Sequence, residues 1–157
     1  MQKSLLSDIQ DDTCLFDDIH GIFANPDTHH QDLLAIPMFR EKLVHVWSLG
    51  LQTGARCVNH HRMCPWIHLG LPRIGGPPCQ DWSSAGNKQG LNGPQLPTLI
   101  SMGRKSAACH DAVCIVENSP NMPDWVPQSC WPTWFSWVSA IVDPSDVGYD
   151  FLARIFS

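Results

Sequence analysis

Gly75-Gly76-Pro77-Pro78-Cys79-Gln80-Asp81-Trp82-Ser83-Ser84-Ala85-Gly86 is followed, thirty-eight residues after its cysteine, by Glu117-Asn118 at the end of the apolar run Ala112-Val113-Cys114-Ile115-Val116. The apolar run has strand length and no polar alternation, the pattern of a parallel strand buried on both faces. Glu117 then falls at its carboxyl end, where open α/β sheets gather their ligands and reactive groups. Upstream, residues 67–74 read as a short strand feeding the Gly-Gly-Pro-Pro loop, with Pro72 a poor occupant of a central strand. Between the two strands, Gly86, Gly90 and Gly93 mark a flexible connection, and Leu96 to Cys109 reads as a helix despite Pro97 and Gly103.

Working outward, Leu33, Leu34, Ile36, Phe39, Leu43, Val46 and Trp47 recur near helical spacing. Pro37 suits a first helical turn and Gly50 a terminator, which predicts a helix over about 37–50. Leu15 to Ile19 is a short apolar and acidic run ending before Gly21. On the far side, Pro132 to Val142 reads as a helix with Trp134, Phe135, Val138 and Ile141 on one face. Asp143-Pro144-Ser145-Asp146 reads as a turn, and Phe151 to Phe156 as a last strand. Strand, loop, helix, strand, helix, strand is the order of an α/β layer structure with a mostly parallel sheet. There is no internal repeat.

A chain of 157 residues with 43% hydrophobic content has material for one modest core. Ten Lys and Arg against fifteen Asp and Glu give a net charge of -5. That excludes an extended basic surface gripping a nucleic-acid backbone and leaves room only for a local contact. Met1 to Asp12 is polar and acidic where a signal peptide needs an apolar core. The seven cysteines are therefore expected to be reduced and the protein intracellular, nuclear if eukaryotic. Trp131 to Val142, the most apolar segment, falls well short of the roughly 20 residues that a membrane helix needs, so no span is expected.

A cysteine on a Gly/Pro-fixed loop can attack an electrophilic ring carbon, and a carboxyl group nearby can hydrogen-bond that ring. With their order and separation, Pro78-Cys79-Gln80 and Glu117-Asn118 resemble the Pro-Cys-Gln and Glu-Asn-Val motifs of the DNA cytosine-5 methyltransferases. Ser119 stands where the valine is usual. The resemblance implies a partial Rossmann-like S-adenosylmethionine-dependent methyltransferase core over residues 1–157. It implies S-adenosyl-L-methionine as cofactor and DNA as partner, with tRNA the substrate in one branch of the family. Cys79 would be the nucleophile adding to cytosine carbon 6, and Glu117, with Asn118 beside it, the acid at the ring. Pro78 falls to the cofactor side, and Gln80 and Ser83 to the substrate side. The target base would have to leave the duplex to reach them.

Leu15 to Phe23 is similar to the family's Asp-Ile segment, which makes Asp18 and Ile19 cofactor-side residues. The same stretch echoes the family's glycine-rich cofactor loop, but Asp18 and His20 occupy glycine positions there, where close backbone approach needs glycine. Asp143 to Ile155 is similar to a glycine turn leading into a Gln-x-Arg-x-Arg strand that touches target phosphate and base. Only Arg154 of those arginines is present, one position out of register. The glycine-rich loop, a ribose-binding acid and a target-recognition region are not visible, so the chain is expected to be a fragment or a degenerate relative. A noncatalytic nucleic-acid-binding relative and a small zinc-binding interaction module are the alternatives.

The zinc alternative rests on Cys57, His60, His61, Cys64 and His68, all within twelve residues. Cys57, His60, Cys64 and His68 are compact enough for four ligands but lack the paired Cys-x-x-Cys spacing. Equally, they can form a reduced, metal-free loop beside the sheet, and no metal ligand is assigned. Cys109 and Cys114 read as packing residues. Among the tryptophans, Trp82 on the cysteine loop is the candidate for stacking on an unpaired base, while Trp131, Trp134 and Trp137 read as core. Lys88 could touch a phosphate.

Overall fold

The computed structural model describes residues 14–16, 18–24, 26–67 and 69–142. Helix α1 spans Pro26–Ala35 and α2 Phe39–Ser48. An antiparallel hairpin follows, β1 (Gly54–Arg56) with β2 (Met63–Pro65), in register Ala55↔Cys64. Strand β3 (Pro72–Gly75) pairs parallel with β4 (Val113–Val116), with Ile74 opposite Ile115, and helix α3 (Leu96–Cys109) forms the connection between them. A parallel pair requires such a crossover, and this one satisfies the β-α-β pattern. Helix α4 (Trp125–Cys130) closes the set.

Helix α3 lies at the centre, with ten of its 14 residues buried. Leu96, Leu99, Ile100 and Met102 are buried, each contributing about 1.5–3 kcal/mol of burial before the entropy of ordering is set against it. Pro97 falls in the first turn, where its missing N–H removes no helical bond. His110 ends the helix in the left-handed region at φ 49°, its N–H returning to the Ala107 and Ser106 carbonyls. Gly103 faces α4: a Cβ there would overlap the Cys130 carbonyl, so glycine sets the approach of the two helices. On other sides, Arg104 lies over the Trp47 ring of α2 at 5.1 Å, and Ser101 Oγ meets Nδ1 of His20 at 3.3 Å. His20 belongs to a 3₁₀ turn, Ile19–Ile22, which delivers Ile22 and Phe23 to the core.

Several expectations are corrected. The helix placed over 37–50 spans Phe39–Ser48, and Leu33 and Leu34 belong to a separate helix, α1. The break at 36–38 contains Pro37, and the residue before a proline is pushed out of helical geometry. The strand read over 67–74 begins only at Pro72, and among the described residues β3 has one neighbour, an edge position that tolerates its proline. Strand β4 is not buried on both faces: Val113 and Ile115, with Ile74 beside them, are more than half exposed. Its other face, Cys114 and Val116, packs toward α3 and the core.

The glycines of the connection are packed rather than flexible. A Cβ at Gly86 would overlap the Gln80 backbone, and one at Gly93 would overlap the Asp81 carboxylate. The helix read over Pro132 to Val142 is not formed: residues 132–142 carry no helix, and Trp134, Val138 and Ile141 are exposed. β-Branched and serine residues there have weak helix preference. The helical turn forms at Trp125–Cys130 instead, with Pro127 tolerated because it lies in the first turn. Trp131 is buried and meets Trp137 edge to face at 5.3 Å, so two of the three tryptophans read as core are packed and Trp134 is not. The expected turn at 143–146 and the strand at 151–156 lie outside the described residues.

Candidate active site

Parallel pairing brings the two motifs to one edge. Strand β3 ends at Gly75 and runs directly into the Gly76-Pro77-Pro78-Cys79 loop, while β4 ends at Val116 and runs into Glu117-Asn118. The ladder extends one step further, Glu117 N–H donating to the Gly75 carbonyl at 3.0 Å. Asn118 Nδ2 donates to the Pro77 carbonyl at 3.1 Å, and its Oδ1 accepts from Ser119 N at 2.8 Å. One side chain thus ties the acid's segment to the cysteine's loop. A Cβ at Gly76 would come to 3.0 Å from Glu117 Oε2, the free end of an exposed side chain that can give way.

The loop turns tightly after the cysteine. The Cys79 carbonyl accepts from the N–H groups of Trp82 (2.9 Å) and Ser83 (2.8 Å), and the Cys79 side chain is exposed. Gln80 is exposed and Ser83 half-buried. Behind them Asp81, 1% exposed, accepts from Gln95 N at 2.8 Å and seats its carboxylate against Gly93. Lys42 of α2, also buried, donates to the Leu91 carbonyl at 3.2 Å. Burial holds its ammonium below the usual lysine range, and the Asp81 charge works against that shift. The reading of the sequence missed both residues as supports of this loop. Their signal was weak, since nothing local distinguishes a buried aspartate from the solvated kind.

Beside the loop an open cleft of about 400 Å³ is lined by Asp81, Trp82, Ser84, Lys88, Gly90 and Asn121. Trp82 and Lys88 therefore share one surface with a residue that follows Glu117-Asn118. Lys88 has φ 55°, a left-handed conformation uncommon for a side chain of its size.

Of the residues expected on the cofactor side, Asp18 and Ile19 stand at the start of the 3₁₀ turn and Pro78 on the cysteine loop. Asp18 uses Oδ1 to accept from His20 N at 2.8 Å as the cap of the 3₁₀ turn. Ile19 packs against the core, and Pro78 is exposed on the cysteine loop. Arg154 and His68 lie outside the described residues.

The other sulfurs are set apart from Cys79 by their surroundings. Cys130 is buried in α4 and burial pushes its thiol far up, so it is inert at neutral pH. Cys57 is subject to burial, which raises it, but N–H groups of His60, Leu15 and Asn59 outweigh that and bring its thiol down to about 7. Cys14 beside it is pushed up to about 11, by burial and by the neighbouring sulfurs of Cys64 and Cys57.

A family model, C-5 cytosine-specific DNA methylase, matches residues 73–137, so this part of the chain is similar to that family. The match covers well under half of the chain and contains β3, the cysteine loop, α3, β4, Glu117-Asn118 and α4. Neither the curated proteins nor the solved structures contain a match to the chain. The likeness to DNA methylases is confined to that matched part, and the mixed helix and strand architecture with its parallel pair is consistent with an α/β fold. Enzymes of this family act on DNA and generally use S-adenosyl-L-methionine. No helix among the described residues is long and apolar enough to cross a membrane.

Proposed function

We propose that this chain is the nucleophile-bearing part of a DNA (cytosine-5)-methyltransferase and that Cys79 adds to carbon 6 of a cytosine extruded from the duplex. The observation that supports this reading is the placement of Cys79 and Glu117 beyond the carboxyl ends of two adjacent parallel strands, joined by the Asn118 bond to Pro77. The Cys79 thiolate forms the bond to carbon 6, and the ring's 5,6 electrons become available at carbon 5. Glu117 hydrogen-bonds ring nitrogen 3 and the exocyclic amine, stabilising the charge displaced onto the ring. Asn118 positions both by holding the loop to the strand. Trp82 and Lys88 offer a stacking face and a cation to the displaced strand at the cleft.

In the family the methyl group comes from S-adenosyl-L-methionine, and a Rossmann-like core around the parallel pair would supply its site. Asp18, Ile19 and Pro78 do not by themselves fit that cofactor, so no step here is routed through it. Reversal of the Cys79 addition restores the ring in its absence. Seven free cysteines suit a reducing, intracellular setting, nuclear in a eukaryote.

A duplex carrying 5-azacytosine tests Cys79 without demanding methyl transfer, because the ring nitrogen at position 5 makes carbon 6 more electrophilic. A covalent protein–DNA adduct is expected, absent in Cys79→Ser; an adduct that persists in that variant overturns the assignment. With 5-fluorocytosine and S-adenosyl-L-methionine, an adduct then reports methyl transfer separately. An RNA stem-loop bearing 5-azacytosine, reacting in preference to the duplex, would move the substrate to tRNA.

A further inference from the structure

The hairpin β1–β2 presents inward-facing residues with period two. Ala55 and Cys57 on one strand and Cys64 on the other are buried, while Arg56, Arg62 and Met63 point out. The loop between the strands carries His60 back over them, with His61 at φ 53° making the turn and itself exposed. Segment 14–16 lies alongside: Val58 N–H donates to the Leu15 carbonyl at 2.7 Å, and Leu15 N–H donates to Cys57 Sγ at 3.3 Å. That contact delivers Cys14, far away in sequence, to the same point.

The ligand atoms of Cys14, Cys57, His60 and Cys64 all lie within 4.8 Å of one another. Nδ1 of His60 is 3.6 Å from Cys14 Sγ, 3.5 Å from Cys57 Sγ and 3.3 Å from Cys64 Sγ. A single ring nitrogen carries one proton or one lone pair, so it cannot satisfy three thiols by hydrogen bonding. A tetrahedral zinc ion with bonds of about 2.3 Å to sulfur and about 2.0–2.1 Å to nitrogen would separate nitrogen from each sulfur by about 3.6 Å. The observed spacings match that edge. Two backbone N–H groups, of Leu15 and of His60, already point at Cys57 Sγ, the arrangement that steadies a metal-bound thiolate.

We propose that Cys14, Cys57, His60 through Nδ1, and Cys64 form a structural zinc site. Three thiolates and an imidazole in a compact tetrahedral set select zinc over harder divalent ions. All four positions are taken by protein, so the ion holds segment 14–16 against the hairpin and performs no catalysis. Through that segment it fixes the entry to the 3₁₀ turn that carries Ile22 and Phe23 into the core. The site is independent of the methyltransferase reading.

The test is metal analysis of the full 157-residue chain purified under reducing conditions, followed by replacement with cobalt. One zinc per chain is expected, and the cobalt form should show thiolate-to-cobalt charge transfer with the intense visible bands of a tetrahedral ion. Cys14→Ser should weaken metal retention at least ~10-fold and alter the charge-transfer band, whereas Cys114→Ser should leave both unchanged. Should Cys14→Ser fail to fold, the charge-transfer intensity of the unaltered chain still distinguishes three thiolates from two. A folded chain without stoichiometric zinc or cobalt, or a disulfide among these cysteines in the reduced preparation, would falsify the site. A cobalt spectrum identical in Cys14→Ser would overturn the role of Cys14.

Discussion

Cys79 and Cys57 are both cysteines beside a turn, yet they are surrounded in opposite ways. Cys79 is exposed, its carbonyl rather than its sulfur is held by the backbone, and the acid of its pair lies on a neighbouring strand. Cys57 has no exposed surface, receives backbone N–H groups on its sulfur, and faces two more sulfurs and an imidazole. A nucleophile must keep one sulfur free and fix everything around it. A structural metal site spends its sulfurs inward and closes.

The comparison breaks most completely if the two sites cannot be separated by mutation. Cys79→Ser should abolish the 5-azacytosine adduct outright while leaving zinc content and thermal midpoint unchanged. Chelation of the unaltered chain should do the reverse to stability, lowering the thermal midpoint by roughly 10 °C or more, since about 2–4 °C accompanies each kcal/mol in a chain of this size. Loss of zinc in Cys79→Ser would mean that the two regions share one fate.

Glu117→Gln sharpens the catalytic side. It should slow adduct formation by about 100-fold, with alkylation of Cys79 by a small reagent and the melting temperature unaltered, because the Glu117 side chain is exposed. Equal adduct rates in the two proteins would remove Glu117 from the reaction. Asp81→Ala probes the support beneath the nucleophile. It strands the Gln95 N–H and removes the charge near buried Lys42, at a cost of about 2–3 kcal/mol read by denaturant unfolding. Smallest is Gly103→Ala, which forces a methyl group against the Cys130 carbonyl and should cost about 1–3 kcal/mol without touching either cysteine site.

The edge that carries Cys79 and Glu117 was legible in the sequence because its parts are local: an apolar run, a loop of glycine and proline, and an acid at a strand end. Helix α3 was legible with its bounds, since Pro97 and the residues after Cys109 punctuate it. What escaped was set by packing between distant segments. Val113 and Ile115 are apolar yet exposed, because periodicity tells which residues share a face and not what covers it. The segment after Pro132 has the apolar spacing of a helix, yet it forms none and leaves Trp134, Val138 and Ile141 exposed. Cys14 is the sharpest case: no spacing rule links it to the Cys57 loop, and the bonds of Leu15 to Val58 and to Cys57 Sγ bring it there.

The single amide of Asn118, spanning from one strand end to the loop of the other, turns two segments into one mechanical unit. Untying that one bond, as in Asn118→Ala, should slow adduct formation at Cys79, a change in rate constant that precedes any loss of affinity for the base.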